Sequence, residues 1–189
     1  MSGTPPSDPR DVLRRALVEI RSLKEKLAAA EKKVVSSEPI AVVGIGCRFA
    51  GGIDSPAAFW RALMDGRDTV TARPANRWRA TDSRTPINGA FLDDVEGFDA
   101  RFFGIAPREA AAMDPQHRLL LEVTWEAFEH AAIDPHALAG SPTGVFVGLA
   151  TNDYARRVPA DSLDRYFGVG SSPAVASGRI AYLLDFRGP

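Results

Sequence analysis

The sequence has 189 residues, of which 45% are hydrophobic and 25% are charged, with a net charge of −1 and one cysteine. These values fit one globular domain with a short appendage, exclude wholesale disorder, and give no reason to expect nucleic acid or an anionic membrane as a partner. One cysteine excludes an internal disulfide and a cysteine-based zinc site, and neither a signal peptide nor a membrane-spanning run is readable, so we expect a cytoplasmic protein.

The first predicted element is a helix. Residues 1–10 contain three prolines and read as a flexible leader, and residues 11–35 then carry a seven-residue repeat of apolar side chains. This narrow a/d stripe is typical of a coiled coil that pairs with a partner helix. The positions that we predict for dimerisation and docking are Leu13, Ala16, Ile20, Leu23, Leu27, Ala30 and Val34.

The charges of this helix are unbalanced. Residues 11–33 carry seven basic and four acidic side chains, a net charge of +3, so the rest of the chain is acidic. The alternative is a solvated charged helix that lies on its own domain. We favour the coiled coil because the apolar residues keep a period of 3.5 over three heptads.

A globular domain is predicted over residues 37–189. Residues 40–46 and 143–149 are continuous apolar runs, as in strands buried on both faces of a sheet. Three helices are predicted to begin at a capping residue followed by proline, at Ser55, Asp114 and Ser172. Residues 67–100 read as a loop with a short strand near Phe91. Strands that alternate with helices indicate a layered α/β domain.

The sequence alone identifies no active site. Gly44 and Gly46 follow a predicted strand, but the third glycine of a dinucleotide fingerprint is misplaced at Gly51, and no helix follows. Cys47 reads as a structural, largely buried cysteine rather than a nucleophile. The three histidines, His117, His130 and His136, read as surface or interface residues.

Five segments, in one order, carry a resemblance. Read together, they are similar to the ketosynthase (β-ketoacyl synthase) domains of modular polyketide synthases. The segments are residues 38–52 (EPIAVVGIGCRFAGG), 102–122 (FFGIAPREAAAMDPQHRLLLE), 125–129 (WEAFE), 143–148 (TGVFVG) and 178–189 (GRIAYLLDFRGP). The resemblance implies an α/β, partial thiolase-like fold, its N-terminal half, preceded by the coiled coil.

The resemblance also implies a chemistry. Ketosynthases catalyse decarboxylative condensation of an acyl thioester with a malonyl-type extender on an acyl carrier protein. No cofactor is then bound directly, since phosphopantetheine arrives on the carrier protein. Subunits of this family often begin with a docking helix that pairs with its twin in a homodimer. That helix receives the acidic C-terminal tail of an upstream subunit, which suits a basic helix.

The sequence departs from the family at its catalytic residues. The family's nucleophilic cysteine follows shortly after the motif seen here as Arg187-Gly188-Pro189, and its two histidines follow later still. None of Cys47, His117, His130 and His136 matches a catalytic position. We therefore expect a ketosynthase part that is inactive alone; a non-catalytic docking module and a truncated gene product are the alternatives.

Two further expectations follow from the resemblance. Ala106 stands where the family usually has a serine that caps a helix, so that cap is expected to be missing. Half a thiolase fold would leave apolar residues such as Val145 and Val147 partly uncovered, with reduced stability and aggregation as the result.

Overall fold

The computed structural model describes residues 9–35, 39–75, 77, 87–156, 158 and 164–189, and the side chains of its first helix over residues 13–27. The chain divides into two units, Met1–Val42 and Val43–Pro189. The first unit contains helix α1, Pro9–Val35, which begins two residues before the predicted Asp11. Residues 1–8 of the predicted leader lie outside the described residues.

The regular secondary structure of the second unit is mainly helical in its described part. Its α-helices are α2 (Pro56–Met64), α3 (Pro107–Ala112), α4 (Pro115–His130), α5 (Phe167–Ser171) and α6 (Val175–Leu183). Two single turns of 3-10 helix lie at Pro135–Leu138 and Tyr154–Arg156. A two-residue antiparallel pair joins strand β1 (Thr71–Ala72) to β2 (Asn88–Gly89), so the short strand expected near Phe91 ends just before it.

The predicted helix starts are correct at two of three places. The Ser55 side chain accepts a hydrogen bond from the Ala58 N–H, and Asp114 accepts one from the Gln116 N–H, so each satisfies a donor in the first turn. Helix α6 instead begins at Val175 without a side-chain cap, so the predicted Ser172 cap is wrong. Helix α3 also lacks a side-chain cap at Ala106, as the missing serine predicted.

The two predicted strands are not buried on both faces. Residues 40–46 and 143–149 belong to no strand ladder among the described residues, and Ile40 is 93% exposed. Burial nevertheless alternates residue by residue from Ser141 to Ala150, which is the period of an extended backbone. The segments therefore keep the side-chain pattern of strands without the pairing, and the prediction of burial on both faces is wrong.

The hydrophobic core lies where α3, α4 and α6 meet. Its buried members are Ile105, Ala110, Met113, Leu121 and Ile180. Val145 and Val147 pack against this cluster from one side, while Phe146 between them is 84% exposed. The core thus packs the helices together and covers one face of the segment 143–149. The opposite face of that segment, which carries Phe146, is exposed.

Candidate functional site

The predicted docking seam is exposed on α1. Of its members, the side chains of Leu13, Ile20, Leu23 and Leu27 are 50–64% exposed, and Ala16 is exposed as well. Ala30 and Val34 are helical in backbone, but their side chains lie outside the described set. A 27-residue helix with an uncovered apolar stripe gains most of its stability from packing, so the exposed seam is suited to a partner helix.

An apolar groove of about 600 Å³ lies in the second unit. One wall is the segment 43–46 and the other is the segment 143–147. Helices α4 and α6 form the floor, with Leu120, Ala127 and Ile180 among its side chains. Val123 and Phe128 of α4 line the groove as well.

Two glycines allow the first wall to approach α4 closely. A Cβ atom at Gly44 would lie under 3.0 Å from the Ala127 carbonyl oxygen, and one at Gly46 would lie equally close to the Val123 oxygen. Two residues of extended chain span about 6.6 Å, and four residues of helix span about 6 Å, so the two glycines match successive turns of α4. The glycine pair thus serves helix packing, and the structure supports no dinucleotide site there.

Cys47 lies beside a cluster of charged side chains. Arg48 forms an ion pair with Glu126 and lies 4.0 Å from Glu122. Burial raises the pKa of the Cys47 thiol above its ordinary value, and the neighbouring Arg48 does not offset this. A raised pKa keeps the thiol protonated at neutral pH, and a protonated thiol is a poor nucleophile. Cys47 is partly buried, which is less than the largely buried position that the sequence predicts.

Sequence reasoning missed a buried polar cluster between α3, α4 and α6. Arg179, whose side chain is 8% exposed, donates from Nη1 to Glu109 Oε1 at 2.6 Å. His117 is 2% exposed and Asp114 is 4% exposed. Within the described residues, His117 Nδ1 and Arg179 Nε have no hydrogen-bond partner. A buried guanidinium is stabilised only while its carboxylate remains, so this pair is a strong constraint on how α6 docks.

The prediction of surface histidines is therefore wrong for His117 and correct for the other two. His117 and Leu121 lie one turn apart on the side of α4 that faces the core. His130 is exposed and accepts a hydrogen bond from the Ile45 N–H at 3.3 Å, and exposed His136 lies with its ring 5.7 Å from that of Trp125. The sequence signal that indicates this burial is the position of His117 four residues before the apolar Leu121, which places both on one face of the helix.

Burial makes His117 a source of acid sensitivity. Burial lowers the pKa of His117 below its ordinary value, Asp114 opposes the shift, and Arg179 adds to it. Near pH 6.5 the His117 imidazole therefore binds a proton in the unfolded chain but not in the folded chain. The stability that depends on the neutral, buried imidazole is complete above pH 6.5 and is lost as the pH falls below it. We expect the free energy of unfolding to fall as the pH drops from 7 to 5, because the His117 imidazole takes up a proton more readily in the unfolded chain than in the folded one.

Urea unfolding across that range measures the slope. The variant His117→Gln should have a smaller slope than the unaltered chain. Equal slopes in the two proteins would show that His117 does not titrate differently in the folded and unfolded states.

The described residues show neither a metal site nor a membrane-spanning element. No group of three or more histidine, cysteine, aspartate or glutamate side chains is arranged to hold a metal ion within them. In the same described part of the chain, every helix is too short or too polar to cross a bilayer.

Comparison with known proteins places residues 37–189 in a family model. That model is the N-terminal domain of β-ketoacyl synthase. A phenolphthiocerol/phthiocerol polyketide synthase subunit of Mycobacterium tuberculosis is 49% identical over 169 residues, which are 83% of this chain and 11% of that protein. The spectinabilin polyketide synthase system protein NorA' of Streptomyces orinoci is 53% identical over 156 residues, 80% of this chain and 4% of that protein.

A solved structure agrees with the sequence relatives. The ketosynthase from module 6 of the bacillaene synthase from Bacillus subtilis 168 matches with a TM-score of 0.67 and 34% identity, over 79% of this chain and 25% of that chain. The chain thus spans about a tenth or less of the two polyketide synthase relatives and a quarter of the solved ketosynthase.

Proposed function

Because the chain belongs to the β-ketoacyl synthase family, we propose that it acts as the N-terminal part of a polyketide ketosynthase and supplies scaffold rather than the nucleophile. The reaction of the complete domain would be decarboxylative condensation of an acyl thioester with a malonyl-type extender on an acyl carrier protein. The observation that carries the proposal is the family match over residues 37–189.

The family assignment confirms two expectations from the sequence. The ordered segments do mark the N-terminal part of a ketosynthase, and the partial thiolase-like α/β fold agrees with solved ketosynthase domains. The condensation itself is a proposal for this chain, because the matched residues are 11% of the M. tuberculosis protein.

The geometry of the described residues supports a scaffold role. Condensation by this family needs a thiolate, and burial holds the Cys47 thiol in its protonated form. Of the histidines, His117 is enclosed in the core and His130 accepts from the Ile45 N–H. We propose that these residues stabilise the fold and that the acyl group and the phosphopantetheine of the carrier protein meet catalytic residues elsewhere in a complete domain.

A chimera tests the proposal. Residues 37–189 would replace the matching segment of the ketosynthase in the M. tuberculosis protein, and condensation of an acyl thioester with a malonyl-type extender would be measured. We expect condensation to persist, because two segments that are 49% identical share one fold. A folded chimera that accepts an acyl group but never condenses it would contradict the proposed function.

The isolated chain provides the second arm of the same test. After incubation with an acyl N-acetylcysteamine thioester, intact mass spectrometry should show no acyl adduct. Cys47→Ser is the matched control for any slow, non-catalytic acylation of the single thiol. A stable adduct on Cys47 with turnover would overturn the assignment of the chain as a scaffold.

We also propose that α1 docks as a coiled coil. Its described seam residues are exposed, and the helix carries a net charge of +3 over residues 11–33, which suits the acidic tail of an upstream subunit as well as a twin helix in a homodimer. A cytoplasmic location belongs to the same proposal, since polyketide carrier proteins would have to reach the domain.

Substitution in the seam tests the docking proposal. We expect Ile20→Asp to shift the full chain from dimer to monomer, because a carboxylate at a core position of the coiled coil would be buried without a partner. Analytical ultracentrifugation across micromolar concentrations measures the change in dissociation constant, which should rise at least about tenfold. Val18→Asp, at an exposed apolar position outside the seam, should leave the dimer intact. A chain that is monomeric before substitution would refute the proposal that the seam pairs with a partner helix. Equal effects of the two variants would refute it as well.

A further inference from the structure

A buried guanidinium lies beside a small cavity of the second unit. The guanidinium belongs to Arg179 of α6, whose side chain is 8% exposed. Arg179 and Glu109 both line the cavity, which has a volume of about 310 Å³. A charged group at the wall of a cavity can fix the orientation of a small molecule inside it. The free donors of Arg179 therefore indicate what the cavity can bind.

One edge of the Arg179 guanidinium has no partner. Nη1 donates to Glu109 Oε1 at 2.6 Å. Nε and Nη2 are enclosed, and neither has a hydrogen-bond partner within the described residues. These two nitrogens lie on the same edge of the planar guanidinium, so their N–H groups form a fork that can donate to both oxygens of one carboxylate. The free edge therefore matches a carboxylate in its geometry.

The neighbouring side chains leave this edge uncompensated. An enclosed donor without a partner loses its hydration and gains nothing in return, and the loss is larger for a charged group. Glu109 contacts the other edge, and its side chain is 28% exposed, so solvent screens part of its charge. Burial lowers the pKa of His117, which also interacts with Arg179, so the imidazole is neutral at pH 7 and adds no negative charge. A ligand that supplies two acceptors would remove this cost.

The remaining walls of the cavity are mostly apolar. They include the side chains of Ile105 and Val175, and that of Leu183. Val169 and Tyr182 also line the cavity and are 51% and 86% exposed, so the cavity is open to solvent beside them. Its volume lies at the lower end of the range for ligand pockets. The walls are therefore suited to a short hydrocarbon tail.

We propose that this cavity binds a small monocarboxylate with a short apolar tail. The carboxylate accepts hydrogen bonds from Nε and Nη2 of Arg179, while Nη1 keeps its bond to Glu109. The tail lies against Val175 and Leu183. The site goes beyond the scaffold role, because it is a reversible binding site at which no covalent bond forms or breaks. Its occupation would join α3, α5 and α6, since all three contribute to the walls.

Water is the competing occupant of the cavity. A buried water molecule is typically held by about two to four polar groups. Arg179 and Glu109 can hold water at one end, but water elsewhere in the cavity would lie against apolar side chains and find few partners. A hydrocarbon tail displaces such poorly held water favourably. The composition of the walls therefore favours a carboxylate with a tail over water alone.

Titration of the full chain with hexanoate tests the site. The comparison compounds are hexan-1-ol, which has an apolar tail without the carboxylate, and acetate, which has the carboxylate without the tail. Chemical shifts of the backbone amides of α6, measured by heteronuclear NMR, report binding. We expect hexanoate to saturate the site with a dissociation constant at least about tenfold below that of either comparison compound, because both parts of the ligand contribute.

Substitution of Gly178 by leucine blocks the cavity without removing a contact. Gly178 lines the cavity, and a Cβ atom added there would meet no heavy atom within 4 Å. Leucine also favours the helix more than glycine does, so Gly178→Leu should fold and should weaken hexanoate binding at least about tenfold. Gly168→Leu is the matched control, since Gly168 has equal room in α5 but lies outside the cavity walls. This control should keep the affinity of the unaltered chain.

Substitution of Arg179 by lysine tests the guanidinium edge itself. Lysine keeps the positive charge but lacks the planar pair of donors, so Arg179→Lys should bind hexanoate no more tightly than hexan-1-ol. Three results would overturn the inference. They are the absence of saturable hexanoate binding, equal affinities of the unaltered chain for hexanoate and hexan-1-ol, and equal hexanoate affinities of the Gly178→Leu and Gly168→Leu variants.

Discussion

Substitution of Gly46 by alanine should lower the free energy of unfolding by at least about 2 kcal/mol, because a side chain at this position has no room against α4. An added Cβ atom would lie under 3.0 Å from the Val123 carbonyl oxygen, a backbone atom inside a 16-residue helix that cannot rotate away. Relief requires the segment 43–46 to move off α4, which opens the floor of the groove. Urea unfolding followed by circular dichroism measures the loss as a lower midpoint with an unchanged slope.

Gly148→Ala is the matched control for this substitution. Gly148 follows the other wall of the groove, and a Cβ atom there would have no heavy atom within 4 Å. Alanine also reduces the conformational entropy of the unfolded chain, so the control should be neutral or slightly more stable, by up to about 1 kcal/mol. Equal losses at both glycines would mean that flexibility of the backbone, rather than contact with α4, is what these positions require.

Removal of the Glu109 carboxylate should cost about 3–5 kcal/mol, because it leaves the buried Arg179 guanidinium without its counter-charge. The pair joins α3 to α6 at 2.6 Å, and Arg179 already has two further buried nitrogens without partners among the described residues. In Glu109→Ala we therefore expect α6 to separate from α3, with loss of the cooperative transition or a large fall in its midpoint. Faster proteolysis within α6 provides an independent readout.

The adjacent residue gives a control of the same type. Arg108 pairs with Asp164 at 3.1 Å, but its side chain is 78% exposed, so Arg108→Ala should cost less than about 1 kcal/mol. The double variant Glu109→Ala with Arg179→Met should be more stable than Glu109→Ala alone, since no uncompensated charge remains. A double variant as unstable as the single one would show that the carboxylate acts by packing or capping rather than by pairing.

Signals carried by residues close together in the chain were predicted well. Ser55 and Asp114 cap their helices because a short polar side chain followed by proline satisfies the first turn locally. Ala106 lacks such a cap because its side chain has no acceptor. The heptad of Leu13, Ile20 and Leu27 lies on one helix that begins two residues early, and the pairing of that helix stays a prediction.

Signals that depend on distant residues were predicted less well. The run at residues 40–46 reads as a strand buried on both faces, yet burial is decided by neighbouring chain, and Ile40 is 93% exposed. His117 reads as a surface residue, and its burial depends on neighbouring elements, among them α6, whose Arg179 lies close enough to lower the His117 pKa. Ser172 precedes proline as a cap would, but the helix begins only at Val175.

The sequence by itself determined the family and the order of the predicted helices, because these depend on residue types and short spacings. Only the tertiary structure decided that Arg179 is buried against Glu109, that Gly44 and Gly46 serve the packing of α4, and that two backbone segments enclose an apolar groove. These features arise from contacts between residues far apart in the chain. Their energies depend on burial, which is a property of the assembled fold and not of any one segment.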